Sequence, residues 1–247
     1  MFIFDNFFRK MKNLIFAILS TTTLLFSCTP QNPNLNGNGG QTYNQGTPVT
    51  DVDGNIYPTI ISTCGQTWTS KNLNVSHYRN GDIIPQVTDS IQWANLTTGA
   101  WCYYNNDAAI GTIYGKLYNW YAVNDPRSLA PIGWHVPSDY EWASLQGCLG
   151  GIANTAIAGG AMKEAGLMHW QSPNKDATNS SGFLGLPGGL RDFYGSFYGI
   201  SDNGNWWSST EEGTPFAYSR SLYYDYNTVG SYGKGKEEGI SVRCVKD

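Results

Sequence analysis

The stretch APIGWHVPSDYEW, residues 130–142, sets a histidine, an aspartate and a glutamate within seven positions, flanked by tryptophans. Such side chains move protons or ligate metals, so His135, Asp139 and Glu141 are the first candidates for an active site. Their spacing also has a local reading. Ser138 follows Pro137 and precedes Glu141 by three, the S-x-x-E pattern in which a hydroxyl and a carboxylate each satisfy a free N–H at a helix start. Asp139 falls in the first turn, where a negative charge suits the helix dipole. Trp142, Leu145, Cys148 and Leu149 then make one apolar face, and Gly150-Gly151 ends the helix. His135, between Trp134 and Val136, is expected to be a hydrogen-bonded interior side chain. The other two histidines, His77 and His169, show no ligand spacing, and no metal or cofactor is expected.

Other signposts of chemistry are missing. The sequence has no GxSxG, no HExxH and no glycine-rich phosphate loop. DVDGN at 51–55 resembles the start of a calcium loop but lacks its later ligands, so a tight turn at Asp53-Gly54 leading into a hairpin is expected instead. Five cysteines occur, none in a CxxC pair.

The elements that would position these residues follow from the rest of the chain. Basic Arg9, Lys10 and Lys12 precede an apolar run from Leu14 to Phe26 that Thr21-Thr22-Thr23 interrupt. That run is too short to cross roughly 30 Å of hydrocarbon and reads as an export signal. Leu25-Phe26-Ser27-Cys28 resembles a bacterial lipobox, which implies cleavage after residue 27 and acylation of Cys28. Residues 29–50 carry no charge and almost no apolar side chain, so residues 28–50 are expected to form a disordered tether. Residues 51–247 have the length of one domain.

Within that domain TWTSKNLNV and AWCYYNND suggest short strands. Residues 114–123 show helical spacing, and 159–166 a short helix bounded by glycines. Residues 169–205 read as one long loop rich in Gly, Ser, Asn and aromatics, and such loops often carry function. In 216–226 the even positions are bulky, the period of a strand, and Ile240, Val242 and Cys244 repeat it. With 15 Lys+Arg against 19 Asp+Glu and no basic cluster, nucleic acid is an unfavourable partner.

In order along the chain, DGNIYPT, QTWTSKNLNV, YRNGDIIP, CYYNND, YGKLYNWYAVND, LAPIGWHVPSDYEW, GFLGLPGGLRD, WWSSTE and GISVRCVKD resemble the Fibrobacter succinogenes major paralogous domain family of exported bacterial proteins. The resemblance implies an α+β, C-type-lectin-like and formylglycine-generating-enzyme-like fold, with two helices beside small twisted antiparallel sheets and long loops. It also implies a Cys102–Cys244 disulfide, because family members look similar at CYYNN and VRC, which leaves Cys64–Cys148 as the second.

The expected function is that of an outer-membrane lipoprotein, on its periplasmic or extracellular face, with a non-catalytic module that binds a glycan or a surface protein. Its membrane contact is the N-terminal lipid. The candidate ligand contacts are Asp192, Tyr194, Tyr198, Asp202, Asn203 and Asn205, while at least one of Trp206 and Trp207 belongs in the core. Two alternatives stand beside this. GWHVPSDYEW and GISVRC also look like formylglycine-generating oxidases, although no partner cysteine follows Cys244, and a passive fimbrial or structural envelope component fits as well.

Overall fold

A computed structural model of the chain describes residues 43–150 and 157–247. The signal, Cys28 and the tether up to residue 42 lie outside the described residues, as does Gly151. Among the described residues there are twelve strands and five short helices, an α+β arrangement.

The first strand, β1 (Asn44–Thr50), is a correction to the expected tether. It pairs antiparallel with β2 (Ile56–Ile61), from Asn44 opposite Ile61 to Thr50 opposite Ile56. The connecting turn is the one read at Asp53-Gly54. Asp51 Oδ1 accepts from the N–H of Asp53 and of Asn55, each at 2.9 Å, and Gly54 supplies a φ of +84°. The ordered domain therefore starts ahead of residue 51, because uncharged polar residues complete a ladder as well as they form a tether.

β3 (Thr67–Thr69) continues the sheet, and β12 (Val245–Lys246) and β6 (Trp134–His135) close it in the order β1-β2-β3-β12-β6. The second sheet runs β11 (Gly230–Gly235), β10 (Phe216–Tyr223), β9 (Asn203–Gly213), β7 (Gly188–Arg191), β8 (Phe197–Ile200). The long loop of 169–205 thus contains a hairpin. Its glycines allow it: Gly189 has φ +65° and a side chain there would meet the Tyr198 carbonyl. β4 (Trp101–Cys102) and β5 (Leu117–Tyr118) form a third, two-stranded piece.

The helices are α1 (Ser90–Ala94), α2 (Ala108–Tyr114), α3 (Trp120–Val123), α4 (Asp139–Gly150) and α5 (Ala158–Met162). The helix expected over 114–123 is broken. Gly115 at φ +76° stops α2, Leu117–Tyr118 pairs with β4, and the Asn119 side chain caps α3 by accepting from Ala122 N–H. Tyr114, Leu117 and Tyr118 are buried as the spacing implied, but through two different elements, a helix and a strand.

The core is aromatic. Trp68, Trp93, Trp142, Trp170, Trp206 and Trp207 are almost fully buried, so both tryptophans of the 206–207 pair are interior. Trp68, Trp142, Phe183 and Trp206 form a chain of ring contacts with centroids 4.8–6.4 Å apart. The bulky-face pattern of 216–226 does not survive. Phe216 is exposed while Ser219, Arg220 and Ser221 are all buried, since this strand is covered on both faces. Ile240, Val242 and Cys244 are buried, as are the intervening Ser241 and Arg243.

One disulfide is present among the described residues, Cys64–Cys148, joining the turn after β2 to α4. The Cys102–Cys244 bridge implied by the resemblance is not formed. Both are free, buried thiols in separate apolar clusters, Cys102 beside Trp93 and Leu117, Cys244 beside Val242 and Tyr57.

Candidate functional site: an aromatic hairpin

The opening cluster is architectural. Ser138 N–H donates to Glu141 Oε2 at 2.8 Å and Glu141 N–H to Ser138 Oγ at 3.3 Å, which is the capping box. Asp139 forms an ion pair with the buried guanidinium of Arg220 at 2.6 Å. His135 is not interior. Its side chain is 41 % exposed, with Nδ1 at 2.6 Å from Asp247 Oδ1 and Nε2 at 2.8 Å from Glu141 Oε1. Its position in the last register of β6 puts it at the sheet rim. Burial works against the imidazolium, but the two carboxylates outweigh it and raise the His135 pKa. His77 and His169 are likewise paired with Asp53 and Glu164. Among the described residues no three His, Cys, Asp or Glu side chains converge to hold a metal.

The thiols are chemically quiet. Burial pushes Cys102 up to about 12 and raises Cys244 further, so neither carries the thiolate that nucleophilic or redox chemistry requires. Lys116 had no signal in the sequence. Burial lowers its pKa to about 8, and its ammonium lies 4.1 Å from the Trp101 ring centroid while donating to Asn74 O and Ser76 Oγ. It ties the loop after β3 to β5.

The expected contacts of 192–205 divide. Asn205 is buried, its Oδ1 accepting from Ser221 Oγ and its amide donating to Asn203 Oδ1 at 2.6 Å. Asp202 accepts from the Gln171 side chain. Asp202 and Asn203 are half-buried and, with the buried Asn205, brace the turn between β8 and β9. Asp192 is also used locally, its Oδ1 accepting from Tyr194 N–H and Ser196 N–H at 3.0 and 2.7 Å.

What remains outward is a set of rings. Tyr194 is 71 % and Tyr198 56 % exposed, and Phe193, which the sequence reading passed over, is 48 % exposed. The Phe193 and Tyr194 centroids are 4.1 Å apart with planes tilted by 44°. The hairpin that presents them is held from beneath by Arg191. Its guanidinium lies between the rings of Trp93 and Phe197 and donates to Gly195 O, Val87 O and Thr88 O at 2.7–3.0 Å. Gly195 has φ +85°, and a side chain there would strike the Ser90 backbone, so the turn rests directly on α1. Phe193 was missed because, in a domain poor in Leu and Ile, an aromatic reads as core; only the turn geometry turns it out.

Comparison with known proteins gives one positive finding. Residues 61–246 match the family described as the Fibrobacter succinogenes major domain, and the chain belongs to that family. No curated protein and no solved structure matches the chain.

Proposed function

Starting from that membership, we propose that this protein is a non-catalytic binding module of the bacterial envelope, anchored by a lipid on Cys28, with the Phe193, Tyr194 and Tyr198 hairpin as its contact surface. The observation that carries the reading is three solvent-facing rings on a hairpin fixed by a buried guanidinium. Flat apolar faces presented on a braced hairpin suit the C–H faces of sugar rings, and Tyr and Phe, with two side-chain torsions each, lose little entropy on binding. A glycan is therefore the favoured ligand. A lipobox ahead of an uncharged segment supports display at the outer membrane.

The fold we propose is C-type-lectin-like. In its support, the early strand β3 and the late strand β12 lie side by side in one sheet, and long connections join short elements.

The test is a glycan-array screen of the full exported chain, repeated with Tyr194→Ala and Tyr198→Ala. Binding is expected to fall about ten-fold or more in each variant, the cost of losing one stacked ring, with an unchanged melting temperature. A ligand bound equally well by both variants would move the site elsewhere. Silence on the array with retention of a surface protein would make the partner a polypeptide.

A further inference from the structure

Arg243 is a buried cation without a counter-ion. It is 1 % exposed, and its guanidinium donates to Asn72 Oδ1 at 2.6 Å, Thr69 O and Phe183 O at 2.8 Å, and Leu184 O at 3.0 Å. All four acceptors are neutral. The fifth N–H, on Nη2, has no acceptor among the described residues, and no carboxylate lies within ion-pair distance there. Arg220, equally buried, shows the usual solution, an ion pair with Asp139. Arg191 also lacks a carboxylate and is closed between two rings, whereas Arg243 has one, Phe183, with its ring centroid 4.3 Å from the guanidinium carbon. An uncompensated buried charge is costly, and here burial brings the Arg243 pKa down to about 9.

Unlike Arg191, Arg243 borders a cavity. The space measures about 190 Å³ and is also lined by Lys71, Asn55, Asn74 and Thr112, with Ile56 and Ile113 at its edge. Lys71 is exposed and adds a second positive charge. The Oδ1 of Asn74 has no hydrogen-bond partner among the described residues but is sealed from solvent. Asp51 lies behind the wall, hydrogen-bonded to the lining residues Asn55 and Tyr57. Asp51 is saturated, accepting from Asp53 N–H, Asn55 N–H, the Asn55 amide and Tyr57 Oη. The volume lies below the range of pockets for drug-sized ligands and fits a single ring.

We propose that this cavity binds a small carboxylate of the size of one uronic acid, with Arg243 as its fixed counter-charge and Lys71 as its outer one. The cavity is a second site, built from β2, the loop after β3, α2 and residues 184–186, and it does not use the hairpin.

Calorimetric titration of the full exported chain at constant ionic strength, with glucuronate, glucose and sulfate as probes, tests it. Saturable glucuronate binding is expected, with none for glucose. Lys71→Glu, at an exposed position, should weaken glucuronate by about ten-fold or more while leaving the unliganded melting temperature unchanged. Arg243→Gln should abolish binding if it folds; Lys71→Glu keeps the test decisive if it does not. Absence of saturable glucuronate binding, equal binding of glucose, indifference to Lys71→Glu, or sulfate binding alone would each overturn the proposal. Tyr194→Ala is expected to leave glucuronate binding unchanged, so this site and the hairpin fail or succeed separately.

Discussion

His135 joins three stretches of chain that the sequence keeps apart. One ring nitrogen meets Glu141 at the start of α4 and the other meets Asp247, and the histidine itself belongs to β6. Its folded-state pKa is raised, so its contribution to stability is fully present below the unfolded value near 6.5 and is lost as pH rises through the folded pKa. Glu141 moves the other way. Burial opposes its ionisation, but the Ser138 hydrogen bonds and His135 lower its pKa, so its contribution is present above the unfolded carboxylate range and is lost as pH falls through the folded value. Both are in place between about pH 5 and 6. His135→Gln is expected to lower the melting temperature most in that window and progressively less above pH 7, corresponding to under about 1 kcal/mol for so exposed a group. A pH-independent difference would assign the residue a packing role alone. The capping box around this histidine was legible because it needs only residues 138–141. Asp247, 112 positions away, was not, since nothing local marks a partner supplied by tertiary pairing.

At the level of elements, the cysteines distribute between a staple and two packing groups. Cys64–Cys148 closes 84 residues of chain, which in the loop-entropy account amounts to about 4.5 kcal/mol. Thiol titration of a Cys28→Ser variant without reductant should find no rapidly reacting thiol in the folded state and two after denaturation, and Cys64→Ser should cost a large part of that stability. Four thiols on denaturation, or none, would refute the pairing. The likeness at CYYNN and VRC is a likeness of apolar positions, which a thiol fills as readily as another small residue, and so it did not report a bond. The break inside 114–123 escaped notice for a related reason. Helical spacing records which side chains are buried, and Tyr114, Leu117 and Tyr118 are buried whether one helix or a helix and a strand carry them. The hairpin at 188–200 was hidden because its glycines and aromatics carry no clean alternation, although Asp192, Tyr194 and Tyr198 within it were already singled out.

For the molecule as a whole, the domain begins before residue 51. β1 covers the outer edge of β2, and its Val49 packs against the central apolar cluster. A chain starting at Asp51 would leave IYPTII as an open edge, whereas one starting at Tyr43 would not. Truncation to residue 51 is expected to cost about 1–3 kcal/mol and to promote association at high concentration, which melting curves and light scattering would detect. Equal behaviour of the two chains would return residues 44–50 to the tether. The order of the first sheet has a further consequence. β12 lies between β3 and β6, with Val245 opposite Trp68 on one side and His135 on the other. Neither neighbour has this partner until residues 245–246 have emerged from the ribosome. β1, β2 and β3 can pair among themselves, but β6 joins this sheet only through β12, so the five-stranded sheet is complete only once residues 245–246 are in place.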